Sequence, residues 1–366
     1  MTLDELQHAI ALKLIPSVGD TTAKKLIQHF GSAKAIFNES KKDLKNLTGI
    51  GEVKLKAFKD PAYLIKAEEE IKFIEEHKID YTYYKDKNYP HYLKQCIDSP
   101  IVLFSRGNID LQNKKIISIV GTRKITTSGI EFCEKLIENI APLNPVIVSG
   151  FAYGADITAH KAAIKNNLQN IACLAHGLDQ IYPKVHKKYM KDVENNGGFM
   201  TDFCSYQEFN RNNFLSRNRI IAGISQATIV IESAEKGGSL VTAHIANSYN
   251  REVFAVPGRP TDQYSKGCNS LIKRQMAHLL TDPADIIYHL NWDIAEEKKN
   301  KQTQLFVELT DDEETCLKIL EKKRKAELDE IAINCQYSTS KTASILLNLE
   351  LKGLIRPLPG KQFEYI

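Results

Sequence analysis

A chain of 366 residues with 43% hydrophobic and 26% charged side chains has the make-up of an ordinary globular protein, long enough for two or three domains. It holds no run of about eighteen apolar residues, so no membrane association is expected, and its seven cysteines form no C-x-x-C pair, which argues against a disulfide framework or a zinc site. A formal net charge of +4 permits nucleic-acid binding without requiring it. Asp4 and Glu5 stand where a signal peptide carries positive charge, so a reducing cytoplasm is the expected location.

In chain order, residues 1–78 read as a small helical domain. Residues 14–36 (LIPSVGDTTAKKLIQHFGSAKAI) and 44–58 (LKNLTGIGEVKLKAF) each place a glycine turn before a helix with Lys near its start, a weak internal repeat. It resembles tandem SAM-like helix-hairpin-helix motifs, whose turn offers backbone N–H groups to a DNA phosphate. Gly19, Lys24, Lys25, Gly49, Gly51 and Lys54 are the weaker nucleic-acid candidates; the alternative is a helical domain whose glycines only cap helices. Residues 68–77 form a charged exit helix. Tyr81, Tyr83 and Tyr84 are expected to pack a short strand rather than to stack on bases.

Residues 79–290 alternate strand and helix. β-Branched runs at 116–120, 146–149, 171–175 and 228–232, with shorter ones at 199–203 and 253–256, predict a doubly wound, mainly parallel α/β sheet. Ligands of such sheets lie beyond the strands' C-terminal ends. Four loops converge there: Gly121-Thr122-Arg123-Lys124, the Gly150 loop, the Gly177 loop and Lys236-Gly237-Gly238-Ser239. The last precedes a helix N-terminus, where backbone N–H groups and the helix dipole favour an anion. Arg211, Phe214, Arg217, Asn218 and Arg219 open the helix before the 228–232 strand. The arginines suit phosphates and Phe214 suits a base face; the alternatives are a core aromatic at Phe214 and ion pairs from Arg217 and Arg219 to Glu232 or Glu235. Asp156 is expected to cap a helix starting at Ile157.

Enzyme signatures are missing from these loops. GTRKITTSG lacks the glycines of G-x-G-x-x-G, no Walker loop or G-x-S-x-G elbow is present, and His160, His176, His186 and His244 have no nucleophile in such a context. No cofactor, metal or catalytic residue is therefore expected. Residues 291–309 read as a charged linker. Residues 310–366 predict three helices (313–322, 327–334 and 338–352) and a hairpin turning at Pro359-Gly360, a winged helix whose third helix exposes Lys341 and Lys352.

The ordered segments VGTRK, SGFAYGADITAH, HGLDQIYP, FLSRNRIIAG, EKGGSLVTAHIAN, REVFAVPG and KGCNSLIKR closely resemble the signature segments of the DprA/Smf family of bacterial DNA-processing proteins. The resemblance implies an extended Rossmann-like domain that binds and protects single-stranded DNA, dimerises and helps load the RecA recombinase during natural transformation. It implies that Arg123, Arg211, Phe214 and the loop from Gly237 to Ser239 line the DNA pocket. With Thr122, Lys124, Gly150, Arg217, Asn218, Arg219, Lys236 and Asn269 they make up the candidate site. Leu215 departs from the family's usual Pro. The apolar stripe Leu271, Ile272, Met276, Leu279 and Leu280 is the expected homodimer surface. A nucleotide phosphoribohydrolase of the lysine-decarboxylase-like group is the alternative; its PGGxGTxxE loop would fall at EKGGSLVTAHIA, which lacks the carboxylate.

Overall fold

The computed structural model describes residues 1–40, 43–44, 56–205, 207–208, 210–292, 309–358 and 360–365. They divide into two compact units, Met1–Asp293 and Ile294–Ile366.

The first unit opens with α1 (Leu3–Leu14), α2 (Asp20–Phe30), α3 (Ala33–Asn38) and α4 (Pro61–Glu76). Short polar residues start three of them: Thr2 accepts the Glu5 amide at 3.2 Å, Ser32 the Ala35 amide at 3.1 Å, and Asp60 the Ala62 amide at 2.9 Å just ahead of Pro61. The chain continues through β1 (Asp80–Tyr83), α5 (His91–Lys94), β2 (Val102–Gly107), β3 (Ile116–Val120), α6 (Thr127–Ile140), β4 (Val146–Ser149), α7 (Ala155–Lys165) and β5 (Asn170–Cys173). Then come α8 (Met190–Asn195), β6 (Gly197–Thr201), α9 (Arg211–Ile224), β7 (Ala227–Val230), α10 (Gly238–Ser248), β8 (Glu252–Ala255), α11 (Lys266–Lys273), β9 (His278–Leu279) and α12 (Pro283–His289).

These strands form one nine-stranded sheet in the order β1-β2-β6-β5-β4-β3-β7-β8-β9. It is parallel from β6 through β9 and antiparallel at β1–β2 and β2–β6. Alternation along β3 feeds both faces: Ile117 and Ile119 pack with Leu136 and Ile137 of α6, while Ile116 and Val120 pack with Ile220 and Ile221 of α9. From β3 the chain winds outward to β6, then returns to the other side of β3 as β7. The crevice beyond the C-terminal ends of β3 and β7 is the topological switch point, where sheets of this kind hold ligands.

The first helices are built into this unit. Leu6, Ile10, Ile27 and Phe58 share one buried cluster with Phe104, Phe151 and Phe199. Buried polar ties add to it. Glu70 of α4 accepts the Ser205 amide at 2.8 Å and also the Ser205 hydroxyl. Arg219 Nη2 lies 2.8 Å from Asp20 Oδ2 and also meets Asp202, and Lys13 Nζ stands 3.8 and 3.7 Å from the same two carboxylates. Tyr83 is buried in the shared cluster with Tyr81 and Tyr84 packed against it, as a strand-packing role requires. Of the apolar stripe, Leu271 and Leu280 are buried and Ile272 and Met276 pack on the core, which leaves Leu279 as its exposed member.

The start of α7 differs from the sequence reading, whereas that of α9 falls where the sequence reading puts it. Helix α7 begins at Ala155, not Ile157, because Gly154 (φ 74°) makes the N-cap; Asp156 sits inside the first turn. Helix α9 begins at Arg211 because the Asn210 side chain accepts the Asn212 amide at 2.9 Å.

His160, on α7, is fully buried with Nδ1 2.9 Å from Asn170 Oδ1. Burial depresses its pKa to about 4, from an ordinary value near 6.5. The unfolded chain therefore takes up this proton first as pH falls. The stability that the neutral ring contributes is complete above about pH 6.5 and lost progressively towards pH 4, a loss on the order of 3 kcal/mol. Urea unfolding of the parent and of His160→Gln at pH 7 and pH 4.5 should show a smaller acid loss in the variant; equal losses would mean His160 does not set the acid slope.

The second unit comprises α13 (Asp311–Lys323), β10 (Lys325–Glu327), α14 (Leu328–Cys335), α15 (Thr339–Leu351), β11 (Ile355–Leu358) and β12 (Gln362–Tyr365). The three predicted helices and the hairpin are present, and β10 joins β12 and β11 in a three-stranded sheet, which makes a winged helix. Three residues are too few for β10 to show a period. Pro359, at the expected turn, lies outside the described residues. Lys341 of α15 and Lys352 at its C-cap are ion-paired, to Asp312 at 2.8 Å and to Glu313 at 2.6 Å. Among the described residues, no helix is long and apolar enough to cross a membrane.

Candidate nucleic-acid interface

The loop after β3 is held from both sides. Thr122 donates its amide to Glu232 O at 2.8 Å, and its carbonyl accepts the Ala155 amide at 3.1 Å. The Glu232 carboxylate then takes the Thr126 amide at 2.9 Å and the Thr126 hydroxyl at 2.5 Å, while Thr126 Oγ1 accepts the Gly129 amide at 3.1 Å to cap α6. This suspension leaves Arg123 exposed at the switch point, its guanidinium 5.1 Å from the centre of the Phe214 ring.

Helix α9 supplies the opposite wall. Phe214 is half-buried, with Tyr182 edge-on to it at 5.9 Å between ring centres. Arg211 stands exposed one turn earlier. Arg217, one turn later, is buried: its Nη1 donates to Gly150 O at 2.7 Å and to Cys173 O, and its Nε donates to Asn218 Oδ1 at 3.4 Å. Asp156 comes from α7 and is buried too, with Oδ2 accepting the Ala152 amide at 3.3 Å. Burial raises the Asp156 pKa, an effect the Arg217 charge opposes.

The third wall is the N-terminus of α10. Gly237 is its N-cap, and Ser239 Oγ donates to Ser233 Oγ at 2.9 Å. A Cβ on Gly237 would stand 2.2 Å from Ser233 Oγ, so a side chain there would push that hydroxyl away from its contact with Ser239. Together the walls enclose a cavity of about 550 Å³. It has cations at the rim, an aromatic side, a helix N-terminus, and a buried guanidinium and a buried carboxylate on its floor.

Of the residues expected from sequence, Thr122, Arg123, Arg211, Phe214, Arg217 and Asn218 line this cavity together with Gly237, Gly238 and Ser239. Others do not. Lys124 and Lys236 are exposed outside the lining. Gly150 lies beneath the lining: a Cβ there would meet Arg217 Nη2 and Asp156 Oδ2 at 2.6 Å each, so its bareness makes room for that pair. Arg219 points to the first helices. Burial acts to lower its pKa, but Asp202 and Asp20 hold it above the usual value, so its partners are neither Glu232 nor Glu235. Asn269 exchanges hydrogen bonds with the Gly258 backbone at 3.2 and 2.9 Å, away from the cavity.

The weaker candidates fare differently. Gly19 caps α2 at an ordinary φ of −78°. Lys24 turns inward, donating to Ser99 Oγ at 2.5 Å and Ile97 O at 3.3 Å, and burial lowers its pKa. Gly49, Gly51 and Lys54 lie outside the described residues. Sequence reasoning missed Tyr182 and Asp156 as lining residues. The HGLDQIYP segment flagged the first; nothing local distinguishes the second from a helix-capping aspartate.

A mainly parallel, doubly wound sheet with a cationic, aromatic-sided cavity at its switch point defines a Rossmann-like protein whose cavity offers charge to an anion and a ring face to a flat group. Residues 80–291 match the family model described as DNA recombination-mediator protein A, and residues 301–361 match the DprA winged helix domain. The chain belongs to the DprA/Smf family. It is 37% identical over 202 residues to DNA processing protein DprA of Streptococcus pneumoniae, covering 55% of this chain and 71% of that one. The X-ray structure of the Streptococcus pneumoniae protein superposes with a TM-score of 0.65 at 28% identity, over 79% of this chain and 98% of that one. DNA processing protein A from Helicobacter pylori, solved for its single-stranded DNA binding mode, superposes with a TM-score of 0.52 at 27% identity, over 58% and 96% of the two chains.

Proposed function

We propose that this protein binds single-stranded DNA in the switch-point cavity, protects the strand and helps load the RecA recombinase onto it, acting in the cytoplasm as a homodimer and without catalysing a reaction. The observation that carries the reading is Phe214 beside Arg123 at the mouth of a cavity closed by the α10 N-terminus. Phosphates meet Arg123, Arg211 and the amides that open α10, while bases reach the aromatic wall. The likeness to a relative studied for its single-stranded DNA binding mode supports it. The ion-paired Lys341 and Lys352, on α15 and at its C-cap, favour a partner contact over DNA for the winged helix.

The test is anisotropy with oligo-dT over a salt series, against a duplex of equal length. Tight binding to oligo-dT that weakens linearly in log salt supports the reading; preference for the duplex would overturn it. Within that assay Phe214→Ala should lower oligo-dT affinity by about 1–3 kcal/mol and leave the salt slope unchanged. A changed slope would point to a charge role at this position instead.

A further inference from the structure

We propose that Arg217 and Asp156 form a base-reading floor that engages the Watson–Crick edge of one unpaired base, so that the cavity selects single strands by that free edge and not by base identity. The inference rests on the single-strand reading of the cavity.

Both side chains line the cavity, yet Arg217 is only 4% exposed and Asp156 only 7%. They flank the space over Gly150: Arg217 Nη2 and Asp156 Oδ2 each lie 2.6 Å from the point where its Cβ would stand. Arg217 is locked by the Gly150 and Cys173 carbonyls, which both take Nη1 and so leave Nη2 on the Asp156 side. Asp156 is fixed by the Ala152 amide. The result is a rigid donor beside a rigid acceptor, in a place where a loose polar pair would be costly to bury.

A carboxylate on the floor repels phosphate, and Arg217 beside it brings the floor close to neutral. A phosphate is therefore better placed at the rim, with Arg123, Arg211 and the α10 N-terminus. What suits the floor is a neutral group that carries a donor next to an acceptor. Every base has such a pair on its Watson–Crick edge: N6–H and N1 in adenine, N4–H and N3 in cytosine, N1–H and O6 in guanine, N3–H and O4 in thymine. In a duplex these atoms are occupied by the opposite strand. Flipped bases are commonly read by this edge together with stacking, and the Arg217 guanidinium lies 5.9 Å from the Phe214 ring centre, within reach of one base. Such a floor accepts all four bases and rejects paired ones.

The test uses the unaltered full-length protein and varies the DNA. Oligo-dT is compared with an oligomer of the same length in which thymine is replaced by 2,4-difluorotoluene, which keeps the shape and the phosphates but lacks strong hydrogen-bonding groups. The expected result is at least roughly tenfold weaker binding of the analogue, from the loss of charge-assisted hydrogen bonds. In Asp156→Asn, which conserves shape, the gap between the two oligomers should shrink to less than roughly threefold. Equal binding of both oligomers by the parent overturns the base-reading floor and leaves the single-strand reading intact, as does a gap that Asp156→Asn leaves unchanged. Failure of the parent to bind oligo-dT at all overturns both.

Discussion

Replacing Arg219 by Met is expected to lower the unfolding free energy by about 3–5 kcal/mol while leaving oligo-dT affinity near that of the parent wherever the variant is folded. Arg219 pairs with Asp20 and Asp202 inside the first unit and also donates to Asp98 O. Burial acts to raise the Asp20 pKa, yet Lys13 and Arg219 hold it below the usual value, so the carboxylate is charged. Without the guanidinium, the two carboxylates keep Lys13 as their cationic partner, at 3.8 and 3.7 Å, and Asp20 keeps the Ile101 amide at 2.8 Å. Urea unfolding at pH 7 measures the change. A loss under about 1 kcal/mol would show that Lys13 or water compensates. A normally folded variant that fails to bind oligo-dT would return Arg219 to the DNA site. The same cluster bears on truncation. Removing residues 1–77 takes away Asp20, Lys13 and Glu70 together and uncovers Phe104 and Phe199, so the shortened chain is expected to be unstable.

Arg123→Glu is expected to weaken oligo-dT binding on the order of a hundredfold, and by no less than about tenfold. A lost charge-assisted contact is worth about 1.5–3 kcal/mol, and the new carboxylate adds repulsion of its own. Folding should be little affected, because Arg123 is exposed and its loop is held through Thr122 and Thr126. The measurement is anisotropy at fixed salt, with a melting curve as control. Parental affinity in a normally folded variant would remove the rim from the binding site. Arg211→Glu, on the facing helix, is the parallel case at the same rim.

The features legible in the sequence were those that need only neighbours along the chain. IISIV and ATIVIE marked strands covered on both faces, since β-branched runs without polar alternation suit a sheet with helices on either side. Glycines before Ser239 marked an anion-ready helix start, because that geometry is made within a few residues. Three helices and a hairpin marked the winged helix. Helix starts were less clear, since Gly154 and not the more obvious Asp156 makes the cap of α7.

By itself, then, the sequence determined the doubly wound sheet, the loops that gather at its switch point and the family. Only the tertiary structure decided which side chains serve the cavity. Arg217 and Arg219 are both arginines two positions apart, and a helix turns about 200° over that interval. One therefore reaches the cavity floor and the other a pair of aspartates on the far side. The repeat of lysine-bearing turns left the fate of Lys24 open, and it was settled by Ser99, a residue far along the chain. Asp156 enters the site from the first turn of α7 and Tyr182 from a separate loop, and Gly150 matters for the room it leaves under Arg217. A sequence carries the period of each element and the chemistry of each residue; the facing of a helix and the meeting of distant loops are properties of packing, and packing is where these roles were assigned.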